Sequence, residues 1–188
     1  MSLIEEVEAY NPYDELEAAE KAGFLQFLHA FGDNVYSRDN KVGHLTPSCW
    51  IINSDRTKAL MINHKLRNTW SWLGGHADGD SDLLKVAIKE AREESGLKNI
   101  KVLTDKFFDI SVLPASNHIK NNRYVSSHIH YCPTFLFEAD EHEPLLVNEN
   151  ETYGITWIEV DKIIDLVPDS VDKMLYGRLI KKVKEKRW

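Results

Sequence analysis

Residues Gly75 to Leu97, GHADGDSDLLKVAIKEAREESGL, decide the fold of this 188-residue chain. The stretch opens on a glycine turn, passes through a short acidic loop and continues as a helix. Leu83, Leu84, Ala87, Ile88 and Ala91 recur at i, i+1, i+4, i+5 and i+8, which is one face of a 3.6-residue period. Glu90, Glu93 and Glu94 crowd another side, because residues three and four apart in a helix are neighbours. Like charges so placed repel by about 0.2–0.5 kcal/mol a pair, and a cation among them removes that cost. A donor set of hard oxygens suits Mg²⁺ or Mn²⁺ better than Zn²⁺. A solvated acidic face is the ordinary reading of such a charge run. Its surroundings favour a site: Leu73-Gly74-Gly75 ends a strand-like stretch, and Gly96 before apolar Leu97 closes the helix as a C′ glycine does.

The same stretch resembles the Nudix box. That pattern is Gly, five residues, Glu, seven residues, Arg-Glu, an aliphatic, any residue, Glu-Glu, any residue, Gly and an aliphatic. Gly75, Glu90, Glu93, Glu94, Gly96 and Leu97 match it, and Ala91 is an acceptable small apolar residue. Ser81 stands where the family has its first Glu, and Lys89 where it has Arg. Lys89 keeps the charge and loses the planar fork of a guanidinium. Asp80, one residue early, is placed to supply part of what Ser81 lacks. The run Gly74 to Asp80, GGHADGD, is also similar to a bacterial Nudix subgroup of poorly defined substrate.

The resemblance spans about residues 44–165. It implies an α/β fold, a Nudix-type α/β/α sandwich with a mixed β-sheet, here with an N-terminal helical extension over 1–43. Residues 44–188 then form the Nudix domain, including a C-terminal helix. It implies a Mg²⁺-dependent hydrolase (Mn²⁺ is a substitute) that cleaves a phosphoanhydride bond in a nucleoside diphosphate linked to another moiety, or in a similar nucleotide. It implies Glu90, Glu93 and Glu94 as metal ligands and the Gly75 carbonyl as a further one. The base for water is one of Glu93, Glu94, Glu149 and Glu151, the last two lying shortly before the final strand. The residues leave that choice open.

Composition bounds the alternatives. The chain is 43 % hydrophobic and 28 % charged, an ordinary globular balance. Its net charge of −7 argues against a sequence-independent grip on a nucleic acid polymer. Cys49 and Cys132 form no metal-spaced motif and read as buried thiols. No apolar run is long enough to span a membrane and no secretory segment is visible, so a cytoplasmic location is expected.

Along the chain, residues 3–10 read as a polar stretch and Asp14 to Ala30 as a helix. That helix is expected to be a structural add-on, with a homodimer contact or a lid as the other readings. Strands are expected at 47–52, 58–63, 70–73, within 102–113, at 127–137 and at 153–160. A polar loop over 114–125 contains Asn117, His118, Asn121, Asn122 and Arg123. Short and long helices are expected at 161–166 and 171–184, the latter capped by Asp169 or Ser170.

Four residues are substrate-binding candidates. Trp70 could stack a base, although strand aromatics are mainly core. His128 and His130 share a strand face and, with His76, offer donors to metal or phosphate; ordinary hydrogen-bonded imidazoles are the plainer reading. Arg67, with Lys65, precedes the Trp70 strand and reads equally as a phosphate contact or a solvated turn. Ser81 and Lys89 motivate a second function, a catalytically weak nucleotide-binding module. An allylic diphosphate isomerase shares the fold but needs a reactive Cys in the pocket, where neither cysteine visibly stands.

Overall fold

The computed structural model describes residues 2–120 and 122–188. Asn121, which the sequence puts in a loop, lies outside the described residues, as does Met1. Two helices come first, α1 (Leu3–Ala9) and α2 (Glu15–Phe31), followed by a 3-10 turn at Gly32–Tyr36. Strands β1 (Gly43–Leu45), β2 (Ser48–Ile52), β3 (Lys58–His64), β4 (Thr69–Ser71) and β5 (Leu73–Gly74) lead to helix α3 (Leu83–Ser95). Beyond it lie β6 (Lys101–Val102), β7 (Asp109–Ala115), β8 (His118–Lys120), β9 (Arg123–Val125), β10 (His128–Glu138) and β11 (Thr152–Glu159). Helices α4 (Val160–Leu166) and α5 (Ser170–Lys184) follow.

Strand β10 is the axis of a mixed nine-stranded sheet of order β1-β10-β2-β3-β11. On one side it pairs in parallel with β1 and then β2; on the other it pairs antiparallel with β7 and β6. Pro133 is tolerated in this central strand because it falls between the β1 register, which ends at Tyr131, and the β2 register, which starts at Thr134. Pro47 interrupts the facing strand at the same level.

Both faces of the sheet are covered, so the central strands are apolar on both sides. Strand alternation sorts their residues into two cores. Cys49, Ile51, Leu60, Ile62, Phe135 and Phe137 join the core under α2 and α3. Trp50, Ile52, Ala59, Met61, Cys132 and Leu136 join the core under α4 and α5. This is the expected sandwich.

The N-terminal helices pack directly on the sheet. Phe27 stacks on Tyr131 of β10 with centroids 3.9 Å apart, and Phe24 is fully buried beside them. A buried ionic network adds polar fastening between α2, β7 and α5. Arg178 donates to both Asp109 oxygens at 2.9 Å and to Glu20 at 2.9 Å. Lys182 donates to Glu17 at 2.9 Å and to Asp109 at 3.2 Å.

Two local expectations are corrected. The opening polar stretch is a helix, because Ser2 and Glu5 form a reciprocal capping box that satisfies its first N–H groups. The expected loop over 114–125 carries β8 and β9, which pair as a separate hairpin, while β7 runs on to Ala115. Pro114 sits within β7 because that strand pairs only with β10 and is an edge there.

Candidate active site

The acidic site is built where β5 hands the chain to α3. Asp82 caps the helix by accepting from Lys85 N–H at 3.0 Å, and Asp80 accepts from Asp82 N–H at 3.0 Å and Lys85 Nζ at 2.8 Å. Gly96 ends the helix at φ 76°, the left-handed position that favours glycine. Leu83, Ala87 and Ala91 are buried against the sheet, which turns the glutamates toward the Gly74-Gly75 turn.

Glu94 is 5 % exposed. The Gly74 N–H donates to its Oε2 at 2.9 Å. Burial pushes its carboxyl up to about 8; the Gly74 bond opposes this, while the charges of Glu90, Glu151 and Glu93 add to it. Glu90 is half-buried and lies against Gly75, where a Cβ would overlap its carboxylate. Burial raises the Glu90 carboxyl too; Lys89 lowers it, and Glu93 and Glu151 raise it. Glu93 is the exposed member of the set. Lys89 bridges Glu90 at 3.2 Å and Glu93 at 3.1 Å, so the lysine at the departing box position neutralises part of this charge.

The later loop separates its two acids. Glu151 stands close enough for its charge to act on Glu90 and Glu94. Both side chains are exposed, and the Glu149 carbonyl accepts from Lys65 Nζ.

The four substrate candidates lie on the side of the sheet opposite α3. Arg67 donates to Asp172 at 2.7 and 2.9 Å and to Ser71 Oγ at 2.9 Å, so its guanidinium is engaged by the N-terminal turn of α5. Trp70 packs against the α4/α5 core. His128 and His130 have the parity of Cys132 on β10 and face the same side. All four therefore occupy the α5 face of the sheet, whereas α3 packs on the other.

The two histidines belong to a group of four. His128 Nε2 lies 3.0 Å from His130 Nε2, and the His44 ring is tilted against those of His76, His128 and His130 at 5.0, 4.7 and 5.1 Å. Burial drives the His130 imidazole down to about 2, with His76, His44 and His128 contributing. Burial likewise takes His44 down to about 4.

Sequence reading missed His44 and Arg38. Arg38 makes a bidentate pair with Asp78, which holds that carboxyl below its usual range, and its charge reaches Glu90 and Glu151. The GGHADGD signature offered one trace of this: Asp78 at φ 48° and Gly79 at φ 90° shape the loop that receives Arg38. A 650 Å³ cavity between α1 and the start of α3 is lined by Ser81 but by none of the box glutamates.

Residues 43–176 match the NUDIX domain family. The chain belongs to this family. Membership supports a hydrolase acting on acid anhydrides. Solved Nudix structures share the fold at low identity. The E. coli dihydroneopterin triphosphate pyrophosphohydrolase aligns with a TM-score of 0.56 at 12 % identity, covering 79 % of this chain and 99 % of that one. A C. elegans Ap4A hydrolase in a binary complex gives 0.55 at 14 %, covering 75 % and 95 %. RenU, a Nudix hydrolase from M. smegmatis, gives 0.53 at 17 %, covering 81 % and 94 %. No curated protein matches this Nudix chain. Among its described residues no helix is long and apolar enough to cross a membrane.

Proposed function

We propose that this Nudix chain is a Mg²⁺- or Mn²⁺-dependent hydrolase of a phosphoanhydride in a nucleoside diphosphate linked to another moiety, or in a similar nucleotide. The observation that carries this reading is the placement of Glu90 and Glu94 against the Gly74-Gly75 turn, within reach of the Glu151 charge, with burial raising both carboxyls. Burial leaves Glu94 and Glu90 poorly solvated, Lys89 offsets only part of the charge, and the oxygen donors fit a hard divalent cation.

Glu90, Glu93 and Glu94 hold the cation, with the Gly75 carbonyl as a further donor. A bound cation of this kind polarises phosphoryl oxygens and acidifies a coordinated water. The Gly74 N–H fixes one Glu94 oxygen and leaves the other available. Gly75 lets Glu90 approach the backbone without a clash. Glu93 closes the outer side, steadied by Lys89. Glu151 takes the proton of the attacking water, because its charge reaches both inward carboxylates. Arg38, held by Asp78, brings a positive charge beside these acids. Residues 1–43 are an extension that supplies this arginine, and 44–188 carry the rest. The substrate is a small nucleotide taken up in the cytoplasm.

The test is product release from a panel of dinucleotides, sugar nucleotides and nucleoside triphosphates, with and without Mg²⁺. Turnover on at least one class that requires the metal and falls about a thousandfold in Glu94→Gln, the loss of several kcal/mol of transition-state stabilisation, supports the reading. Binding without product, unaffected by Mg²⁺, replaces it with a nucleotide-binding module.

A further inference from the structure

We propose that His44, His76 and His130 form a second metal site, for a divalent transition ion of the zinc class, distinct from the acidic site. Their ligand nitrogens all lie within 4.8 Å of one another. Three separate segments bring them together. His44 of β1 is the register partner of His130 of β10. The Ala77 N–H donates to the Leu45 carbonyl at 3.1 Å, which lays His76 alongside β1. The His76 ring is 5.0 Å from that of His44 and 5.2 Å from that of His130. A tetrahedral ion with metal–nitrogen bonds of about 2.0 Å holds its donors about 3.3 Å apart, so modest ring rotations close the set.

A second observation points the same way. His44 is 5 % exposed, and its Nε2 is buried with no hydrogen-bond partner among the described residues. Its Nδ1 faces the Asn40 carbonyl at 3.4 Å. An imidazole whose Nδ1–H is directed to a backbone carbonyl presents the Nε2 lone pair, the tautomer that metal-binding histidines use. His128 repeats the arrangement, with Nδ1 2.8 Å from the Ser126 carbonyl and Nε2 3.0 Å from that of His130. It braces the His130 ring.

The two sites are kept apart by one residue. Gly75 abuts Glu90, and the next residue, His76, joins the imidazoles. Neutral nitrogen donors select Zn²⁺, Co²⁺ or Ni²⁺, whereas Mg²⁺ keeps to oxygen. The ion would fasten β1, β10 and the GGHADGD loop to one another.

The probe is Co²⁺, titrated into the full chain after metal removal with a chelator. One equivalent should produce the strong visible absorption of a low-coordinate, nitrogen-bound ion, displaced by Zn²⁺ and untouched by excess Mg²⁺. His76→Ala and His130→Ala should each weaken the binding at least tenfold, on the scale of losing a ligand or its support. Glu90→Gln/Glu94→Gln should leave the spectrum intact, which separates this site from the proposed hydrolytic one. On the unaltered chain, one equivalent of Zn²⁺ should shift the imidazole proton resonances of His44, His76 and His130. Absence of a saturable band and of those shifts overturns the proposal. So does a band that persists in both histidine variants or vanishes only with the glutamates.

Discussion

The Glu90 carboxylate lies against the backbone of Gly75, in the space a Cβ would fill. The obstructed group is the far end of a flexible side chain. Gly75→Ala should therefore fold normally and swing Glu90 out of place. Displacing a catalytic group by about 1 Å costs on the order of 100-fold in rate. Steady-state kinetics beside a thermal melt checks this: an unchanged melting temperature with that loss is expected, and full activity would detach Gly75 and Glu90 from the reaction.

Glu94 sets a pH dependence. Its carboxyl is pushed up to about 8 in the folded, metal-free chain, against about 4.3 in the unfolded one. Between those values the folded state keeps a proton that the unfolded state has lost, so stability falls as pH rises and levels off above about 8. A cation reverses the trend, because it binds the ionised form. Melting temperatures with chelator and with Mg²⁺, at about pH 6 and about pH 9, should show a larger Mg²⁺ effect at the higher pH. An equal effect at both would contradict the buried carboxyl.

The ionic network joining α2, β7 and α5 is a structural weld. Asp109 is fully buried and accepts from Arg178, Lys182 and Ser111. Asp109→Asn leaves two cations short of an anion, and breaking a buried pair in this way costs about 3–5 kcal/mol. Denaturant unfolding should show that loss; a change under about 1 kcal/mol, the scale of an exposed pair, would argue that the network adds little.

Both cysteines should be inert. Burial raises the Cys49 thiol well above its usual range and pushes Cys132 up to about 12. A thiol reagent should label neither in the native chain and both after unfolding. Rapid native labelling of either would reopen the isomerase reading, which needs a reactive thiol.

The sequence carried the acidic helix because its signal is local: apolar spacing, three glutamates and a terminal glycine all lie within one stretch. The same held for the central strands, whose β-branched and aromatic runs are buried on both faces. Helix α1 was hidden because it is only seven residues long, although Leu3, Ile4 and Val7 carry helical apolar spacing and Ser2 and Glu5 a capping box. The β8–β9 hairpin was hidden because its strands are three residues long and leave Ile119 and Tyr124 exposed. The histidine group was half visible. His128 and His130 share a strand face at spacing two, but His44 joins them only through the β1–β10 register. Arg38 reaches the acids through an ion pair with Asp78, forty residues away in sequence. Arg67 looked available because its partner, Asp172, lies over a hundred residues downstream. Long-range pairing of this kind leaves no periodic trace.

The account's central claim is that Glu90 and Glu94, set on the Gly75 turn, grip a divalent ion. Mn²⁺ binding followed by electron paramagnetic resonance, with Zn²⁺ present to fill the histidine group, reads that grip directly. The wild-type chain should quench the free Mn²⁺ signal at saturation, and Glu90→Gln/Glu94→Gln should leave it unquenched. Equal quenching by the wild-type chain and the double variant would contradict the claim.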